Sequence, residues 1–356
     1  MSQVRTDIEA IKKYVEIYDK KLIHQMLNGL DVAKDIDVLR NVRSPRTLKK
    51  MVVDRGVRRL NTNIKTAKGG RKWSERILTP QGAMKIIEII PEEVRESFMA
   101  EMLDPNAKEI PFGQWVWEQE FARIAQEIND NFYLSFNPGT IAPFDGTETY
   151  AIGDLVYFDE IVYRAKAETL AGESPETHGV KWEDVDNKVI CDGPHHIIES
   201  ELAATNLLVA GSGGAYDQTT AYDAFLDMWS VIPEVHKNKG MVATVGFGAQ
   251  EDLAINVNKL FGTGQGIAKS DIEEGKEFIL KGTGGRLTIK PVTWMKDSRR
   301  IIMTHKGNMI LGMNQVSDAN KVGKIVENLH GYEAIVKYMI GFQFRDLENL
   351  YVNDQA

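Results

Sequence analysis

The residues that could do chemistry in this chain are few, and their spacing argues against most of it. His195-His196 is the only adjacent histidine pair. On an extended chain the two rings point to opposite faces, which suits a single metal ion poorly. Surface or hydrogen-bonded histidines are the simpler reading. Cys191 is the single cysteine. It excludes an internal disulfide, fits a reducing cytoplasm, and reads as a small buried residue because nothing nearby would activate it. Gly262-Thr263-Gly264-Gln265-Gly266 has the composition of a nucleotide loop. It follows a predicted helix rather than a strand, and no helix clearly opens after it, so the dinucleotide context fails. Gly211-Ser212-Gly213-Gly214 and Gly282-Thr283-Gly284-Gly285 fare no better. No Walker loop and no Gly-x-Ser-x-Gly occurs. No carboxylate spacing picks out an acid/base pair. The expectation is a protein that is not an enzyme, with no catalytic residue, no metal site and no cofactor.

Charge is distributed more tellingly than chemistry. Arg40 to Lys72 carries twelve Lys/Arg and one acidic residue, Asp54. The first ninety residues hold 20 basic and 10 acidic side chains, or +10; against −8 for the whole chain, that leaves −18 for residues 91–356. Such a split points to a polyanion or to an acidic protein surface as partner.

The 356 residues allow a sizeable core and about two domains, and 43% hydrophobic with 26% charged is ordinary globular composition. No apolar run approaches the ~18 residues of a membrane span. The N-terminus, charged from Arg5, lacks the apolar core of a signal peptide.

Apolar spacing predicts the elements that must position any interface. Asp7–Leu30 reads as one amphipathic helix with Ile11, Tyr14, Val15, Tyr18, Leu22, Met26 and Leu30 on its stripe. That stripe belongs either in the core or on a neighbouring subunit. Asp31–Arg46 reads as polar and irregular, broken at Ser44-Pro45. Lys50–Arg59 and Glu75–Ile90 read as extended segments around the turn Ala67-Lys68-Gly69-Gly70-Arg71, a long basic β-hairpin. A short helix is expected over Pro91–Leu103. A stronger one is expected over Phe112–Phe132, with Trp117, Phe121, Ile124, Ile128 and Phe132 on one face.

Residues Thr149–Val185 change texture: short strands around Val156 and Phe158, Val162-Tyr163 and Trp182, with a turn at Asp159-Glu160. This is a small β module inserted in a loop. Beyond it come a helix over Thr220–Val235, a strand Met241–Val245 and a helix Gln250–Leu260. Strands follow at Arg286–Pro291, Arg300–Thr304 and Met309–Met313. A helix is expected over Gly331–Ile340 and a last strand from Phe342 to Val352.

In this order the parts resemble the major capsid protein of tailed bacteriophages, the Hong Kong 97-type fold. The resemblance rests on the basic hairpin, on Phe121-Ala122-Arg123-Ile124-Ala125 and Ile128-Asn129-Asp130, on Met241 to Phe247, on Arg299-Arg300 through Met313, and on Gly341-Phe342-Gln343-Phe344. It implies an α+β fold with an N-terminal arm (1–45), an extended loop (46–90) and a peripheral domain with a spine helix (91–147). An inserted β module (148–192) follows, then the peripheral domain continued (193–235), an axial domain (236–325) and a peripheral C-terminal segment (326–356). Separately, Tyr150, Gly153-Asp154, Val156, Tyr163, Gly172, Pro175 and Trp182 resemble the pattern of chitinase-type carbohydrate-binding modules. That likeness implies sugar stacking on Tyr150, Tyr163 and Trp182, or some other partner contact there. The physically simpler reading is that these rings fill the core of a very small unit.

The function so implied is a self-assembling subunit of an icosahedral phage head around double-stranded DNA, in a virion assembled in the host cytoplasm. Partners would be further copies in hexamers and pentamers, portal and other head proteins, and packaged DNA without sequence specificity; no membrane is involved. Arg55, Arg58, Arg59, Lys65, Lys68, Arg71 and Lys72 are the expected inter-subunit contacts. The alternatives are an encapsulin-like nanocompartment shell, a nucleic-acid-binding protein or a glycan-binding protein. The hairpin lacks the interleaved aromatics of single-strand binders, and a −18 body would repel DNA.

Overall fold

The computed structural model describes residues 13–14, 23, 26–27, 29–53, 57, 59, 69–90, 111–137, 141–159, 161–207, 210, 215–262, 276–296, 298–314, 321–322, 326–327 and 332–353. In the first part of the chain come α1 (Asp31–Asp35), β1 (Asp37–Arg40), β2 (Arg46–Val53), β3 (Arg71–Leu78), β4 (Gln81–Ile89) and α2 (Phe112–Phe132). Three short strands follow: β5 (Leu155–Phe158), β6 (Ile161–Ala165) and β7 (Trp182–Asp184). Next come α3 (Pro194–Ala203), α4 (Ala221–Val231), α5 (Glu234–Lys237), β8 (Met241–Gly246), α6 (Phe247–Phe261), β9 (Phe278–Ile279) and β10 (Leu287–Val292). The chain closes with β11 (Ile302–Thr304), β12 (Met309–Met313), β13 (Lys321–Val322), β14 (Val326–Glu327), β15 (Tyr332–Phe344) and β16 (Leu350–Val352).

β15 organises a six-stranded sheet. It pairs antiparallel with all nine residues of β4 on one side and with β12, β13 and β14 on the other. β1 joins β12 in parallel. The expected helix over Gly331–Ile340 is therefore a strand. Ala334, Val336, Tyr338, Ile340, Phe342 and Phe344 alternate along it and are all buried, a period of two rather than 3.6. Its ladder partners lie far away in sequence, so local propensity did not decide the outcome. Asp31–Arg46, expected to be irregular, likewise contains α1 and β1, because residues 37–40 find their partners at 310–313.

α2 lies on this sheet as its apolar stripe requires. Trp117, Phe121, Ile124, Ile128 and Phe132 are all buried, and the Phe132 ring meets Phe342 edge-on at 5.5 Å. The helix stops at Phe132, ahead of Asn137-Pro138-Gly139. Of the expected N-terminal helix, Lys13, Tyr14, Ile23, Met26, Leu27 and Gly29 are described and helical. Ile23, Met26, Leu27 and Leu30 join the same core as Trp117 and Phe121. This end of the helix is a core element of its own chain. The expected helix over Pro91–Leu103 lies outside the described residues.

The second core is built on a five-stranded sheet of order β16-β11-β8-β10-β9. β8 and β10 run parallel, Met241 opposite Leu287 through Gly246 opposite Val292. Both are almost wholly buried, as parallel strands are. Phe225, Met228 and Trp229 of α4 and Leu253 and Val257 of α6 complete the core. The helix expected over Thr220–Val235 is divided, because Pro233 holds Ile232 extended between α4 and α5. The sheets cross the expected domain boundaries. Met309–Met313 belongs with β15, and Leu350–Val352 pairs with β11.

Residues 155–184 form a three-stranded antiparallel sheet, β5-β6-β7, turned at Asp159, whose φ is 47°. It packs on both faces. Val162 and Val185 meet Phe136, just beyond α2, on one side. Val156, Ala165 and Trp182 meet Phe144, Tyr150 and Tyr163 on the other.

Candidate assembly interface

The hairpin stem pairs Arg46 with Leu78 through Val53 with Arg71. Directly opposed residues share a face, so the stem has two unlike surfaces. The inner one carries Leu48 and Leu78, which are buried with Val42 and Ile310. It also carries Lys50 and Arg76. Lys50 Nζ lies 2.5 Å from Asp346 Oδ2 and 2.7 Å from Glu348 Oε2. Burial works against the Lys50 ammonium, but hydrogen bonds and charge from Asp346 and Glu348 outweigh it and raise its pKa above the usual lysine value. Arg76 Nη2 lies 2.8 Å from Glu201 Oε1 and donates to Gln343 Oε1 at 2.7 Å.

The outer face presents Thr47, Lys49, Met51 and Val53 opposite Ile77, Glu75, Trp73 and Arg71. Lys49 and Glu75 pair across it at 3.1 Å. Around that pair the apolar side chains stand in solvent: Met51 is 46% exposed, Val53 60%, Trp73 60% and Ile77 57%. Clustered large apolar groups on a soluble surface mark an interaction site. The sequence reading gave weight to the charges and missed this band, although the alternation Met51-x-Val53 facing Trp73 was there to find.

The expected second strand, Glu75–Ile90, is two strands. β3 completes the hairpin, and β4 turns at Thr79-Pro80 into the six-stranded sheet. Gly341 makes room for that turn: a Cβ there would stand 2.7 Å from Thr79 O and 3.0 Å from Pro80 Cα. Of the seven basic residues expected at the interface, Arg59, Arg71 and Lys72 are exposed. Arg55, Arg58, Lys65 and Lys68 lie outside the described residues. Two further basic residues, Lys50 and Arg76, turn inward and bind the chain's own carboxylates, which the charge count alone did not reveal.

In the three-stranded sheet β5-β6-β7 and its flanking loops, the three aromatics named for sugar stacking form a core. Trp182 is 3% exposed, and its Nε1 donates to Glu173 O at 3.1 Å. Tyr150 stacks on Phe144 at 5.6 Å and meets Trp182 at 5.5 Å. Tyr163, half-buried, packs against the same cluster. Trp182 has no free ring face for a sugar, since a unit this small needs its bulk inside.

The histidine pair sits on α3, not on an extended segment. Burial, followed by the charge of Arg300, pushes the His195 pKa down. His196 Nε2 lies 3.9 Å from Asp192 Oδ1. Among the described residues no three His, Cys, Asp or Glu side chains gather as a metal site. Cys191 is fully buried with its thiol pushed up to about 12 by burial. No described helix is long and apolar enough to cross a membrane.

No protein-family model matches the chain, and no curated protein does. Solved structures do. The chain is similar to one in the procapsid of satellite phage P4, a structure that includes the size determination protein, at 13% identity over 94% of this chain and 89% of that one, with a TM-score of 0.53. It also matches the capsid of the Myoviridae phage XM1 at 10% identity over 90% and 89% of the two chains, with a TM-score of 0.45. A virus-like particle from Pyrococcus furiosus aligns at 10% identity over 96% and 99%, with a TM-score of 0.35. The last two likenesses are too loose to carry an argument. The first speaks to the fold alone: the mixed α/β fold of this chain matches a fold found in a phage procapsid.

Proposed function

We propose that this chain is a structural subunit of Hong Kong 97 type that assembles, as hexamers and pentamers, into the icosahedral head of a tailed phage around double-stranded DNA. The observation that carries the reading is the two-faced hairpin stem. Its inner face sets Leu48, Leu78, Lys50 and Arg76 against the chain's own body, while its outer face leaves Met51, Val53, Trp73 and Ile77 in solvent, beside the exposed Arg71. Burying that band against a second copy supplies affinity, at roughly 25 cal/mol per Å² of apolar area. The basic surplus steers the encounter and makes it salt-sensitive. Several weak contacts per subunit add through avidity, and closed symmetry turns them into rings and shells. The likeness to a phage procapsid chain supports the same reading at the level of fold. The activity is then a set of interfaces rather than a catalysed reaction. A portal and other head proteins complete the proposed virion.

Negative-stain microscopy and sedimentation of the purified chain test this. Rings or closed shells are expected, with nuclease-resistant DNA inside complete particles. Replacing Arg58, Arg59, Lys68 and Arg71 by Glu is expected to abolish particles while leaving a folded monomer. A wild-type chain that stays monomeric at every salt concentration sinks the reading.

A further inference from the structure

A polar cavity of about 170 Å³ lies between the two main sheets. One wall is the face of the five-stranded sheet that turns away from α4 and α6. Ala243, Val245 and Ile289 point toward those helices and are buried in the second core. Side chains alternate along a strand, so Thr244, Lys290 and Thr304 point the other way and line the cavity, with Thr244 directly opposite Lys290. The facing wall is Asp35 to Asp37, where α1 runs into β1, with the turn Lys306-Gly307 before β12.

Most polar groups there answer one another. Thr304 Oγ1 donates to Asn349 O at 2.9 Å and accepts from Asn308 Nδ2 at 2.7 Å. Lys290 Nζ lies 3.1 Å from Asp35 Oδ1 and 3.6 Å from Glu277 Oε1. Trp294 Nε1 donates to Asp35 Oδ2 at 3.2 Å, and Lys34 turns to Asp31 at 2.7 Å. Two atoms stand out. Thr244 is 1% exposed, yet its Oγ1 has no partner among the described residues. His305 Nε2 is likewise shielded and unpartnered. His305 Nδ1 lies 2.7 Å from Gly240 O. A carbonyl only accepts, so Nδ1 carries the hydrogen, and Nε2 of the neutral ring presents a lone pair. A third acceptor is the carboxylate of Asp37, exposed at the rim. The turn holds it close: a Cβ on Gly307 would stand 2.9 Å from Asp37 Oδ2.

Buried polar groups without a partner are costly, so these atoms call for a polar ligand. Their chemistry selects its charge. The ring lone pair and the carboxylates of Asp35, Asp37 and Glu277 oppose an anion, and Lys290 is already committed to two of those carboxylates. A hydroxyl, an imidazole lone pair and a carboxylate match the three N–H donors of a primary ammonium. Buried Ile36 and Met309, with Val242, give the cavity an apolar side. The volume is that of about five waters at ~30 Å³ each, room for an ammonium head and a short alkyl chain. We infer that the cavity binds a small primary alkylammonium ion, its head on Thr244, His305 and Asp37 and its chain against Ile36, Val242 and Met309. Such a ligand ties the two sheets together, because Asp37 belongs to one and Thr244 to the other.

Calorimetric titration of the purified chain with n-butylammonium chloride tests the site, with thermal melts alongside. Tetramethylammonium chloride, which has the charge but no N–H, is the control. One saturable site per chain and a rise in Tm are expected with n-butylammonium alone. Thr244→Ser keeps the hydroxyl and should keep the affinity. Thr244→Val and Asp37→Asn should each weaken binding by about tenfold or more. Circular dichroism establishes that each variant is folded, and Asp37→Asn, at the exposed rim, carries the test if Thr244→Val does not fold. No saturable binding overturns the inference, because the cavity then holds water only. An equal response to tetramethylammonium, or unchanged affinity in either folded variant, overturns it as well.

Discussion

Gly312 and Gly341 stand directly opposite one another across β12 and β15. Their missing side chains make the slot in which the hairpin turns into the main sheet. A Cβ on Gly312 would lie 2.5 Å from Leu78 Cδ2, and one on Gly341 would meet the backbone of Thr79 and Pro80. Alanine is normally the better strand residue, by roughly 0.5–1 kcal/mol over glycine. Here the sign is expected to reverse. Gly341→Val should cost about 1–3 kcal/mol through overpacking, read by urea denaturation of unassembled chain. Faster trypsin cleavage in the hairpin should accompany it, because the corner that holds the stem is displaced. A neutral or stabilising result would show that the slot is not needed.

The ion pair of Lys50 with Asp346 ties the hairpin to the link between β15 and β16. Asp346 also accepts from the Glu348 amide at 3.1 Å and from the Asn349 side chain. Its own amide is held by Asn308 Oδ1 at 2.8 Å. Asp346→Ala should therefore cost more than Lys50→Met, by about 1–2 kcal/mol, because it leaves several donors unanswered. Chemical denaturation of the two variants measures the difference. The raised Lys50 pKa adds stability that is fully present below the ordinary lysine value and is lost as pH rises through the raised one.

Acid should act through two histidines. His195 is held neutral by burial and then by Arg300; His236 by burial and then by the neighbouring His305, whose ring centroid is 5.9 Å away. The unfolded chain takes up a proton on each near pH 6.5. Their contribution is thus present above that value and lost as pH falls from about 6.5 toward the depressed folded values. Thermal melts at pH 7.5 and 5.5 should show a drop for wild type. The His195→Gln/His236→Gln variant should show a smaller one. An unchanged drop would place the acid sensitivity elsewhere.

Cys191 should resist thiol reagents. Its pKa of about 12 and full burial leave almost no accessible thiolate at pH 8. Labelling by an aromatic disulfide reagent is expected only after denaturant is added. Rapid labelling of the native protein would contradict the packing around it.

Trp182 should matter for folding rather than for sugar. Trp182→Ala is expected to destabilise the small sheet β5-β6-β7 by about 3–5 kcal/mol, seen as loss of protease resistance within residues 148–192 while the rest of the chain holds. Tyr157→Ala, at an exposed position of β5, should leave that sheet intact.

The amino-acid sequence by itself determined the elements whose pattern is local. The stripe Trp117-Phe121-Ile124-Ile128-Phe132 dictates α2, because a 3.6-residue period needs no distant partner to declare itself. The apolar run at Met241 and the short strands around Asp159 were legible from local pattern as well, and so was the basic surplus. Tertiary structure decided what depends on partners far along the chain. Residues 332–344 became a strand because β4 and β12 offered ladders on both sides, and Asp37–Arg40 a strand because β12 had an open edge. It also decided which basic residues face inward: Lys50 and Arg76 meet Asp346 and Glu201, while Arg71 stays in solvent on the opposite face. A charge count sums along the chain. An interface depends on which side of a two-stranded ribbon each charge occupies, and only the pairing register sets that.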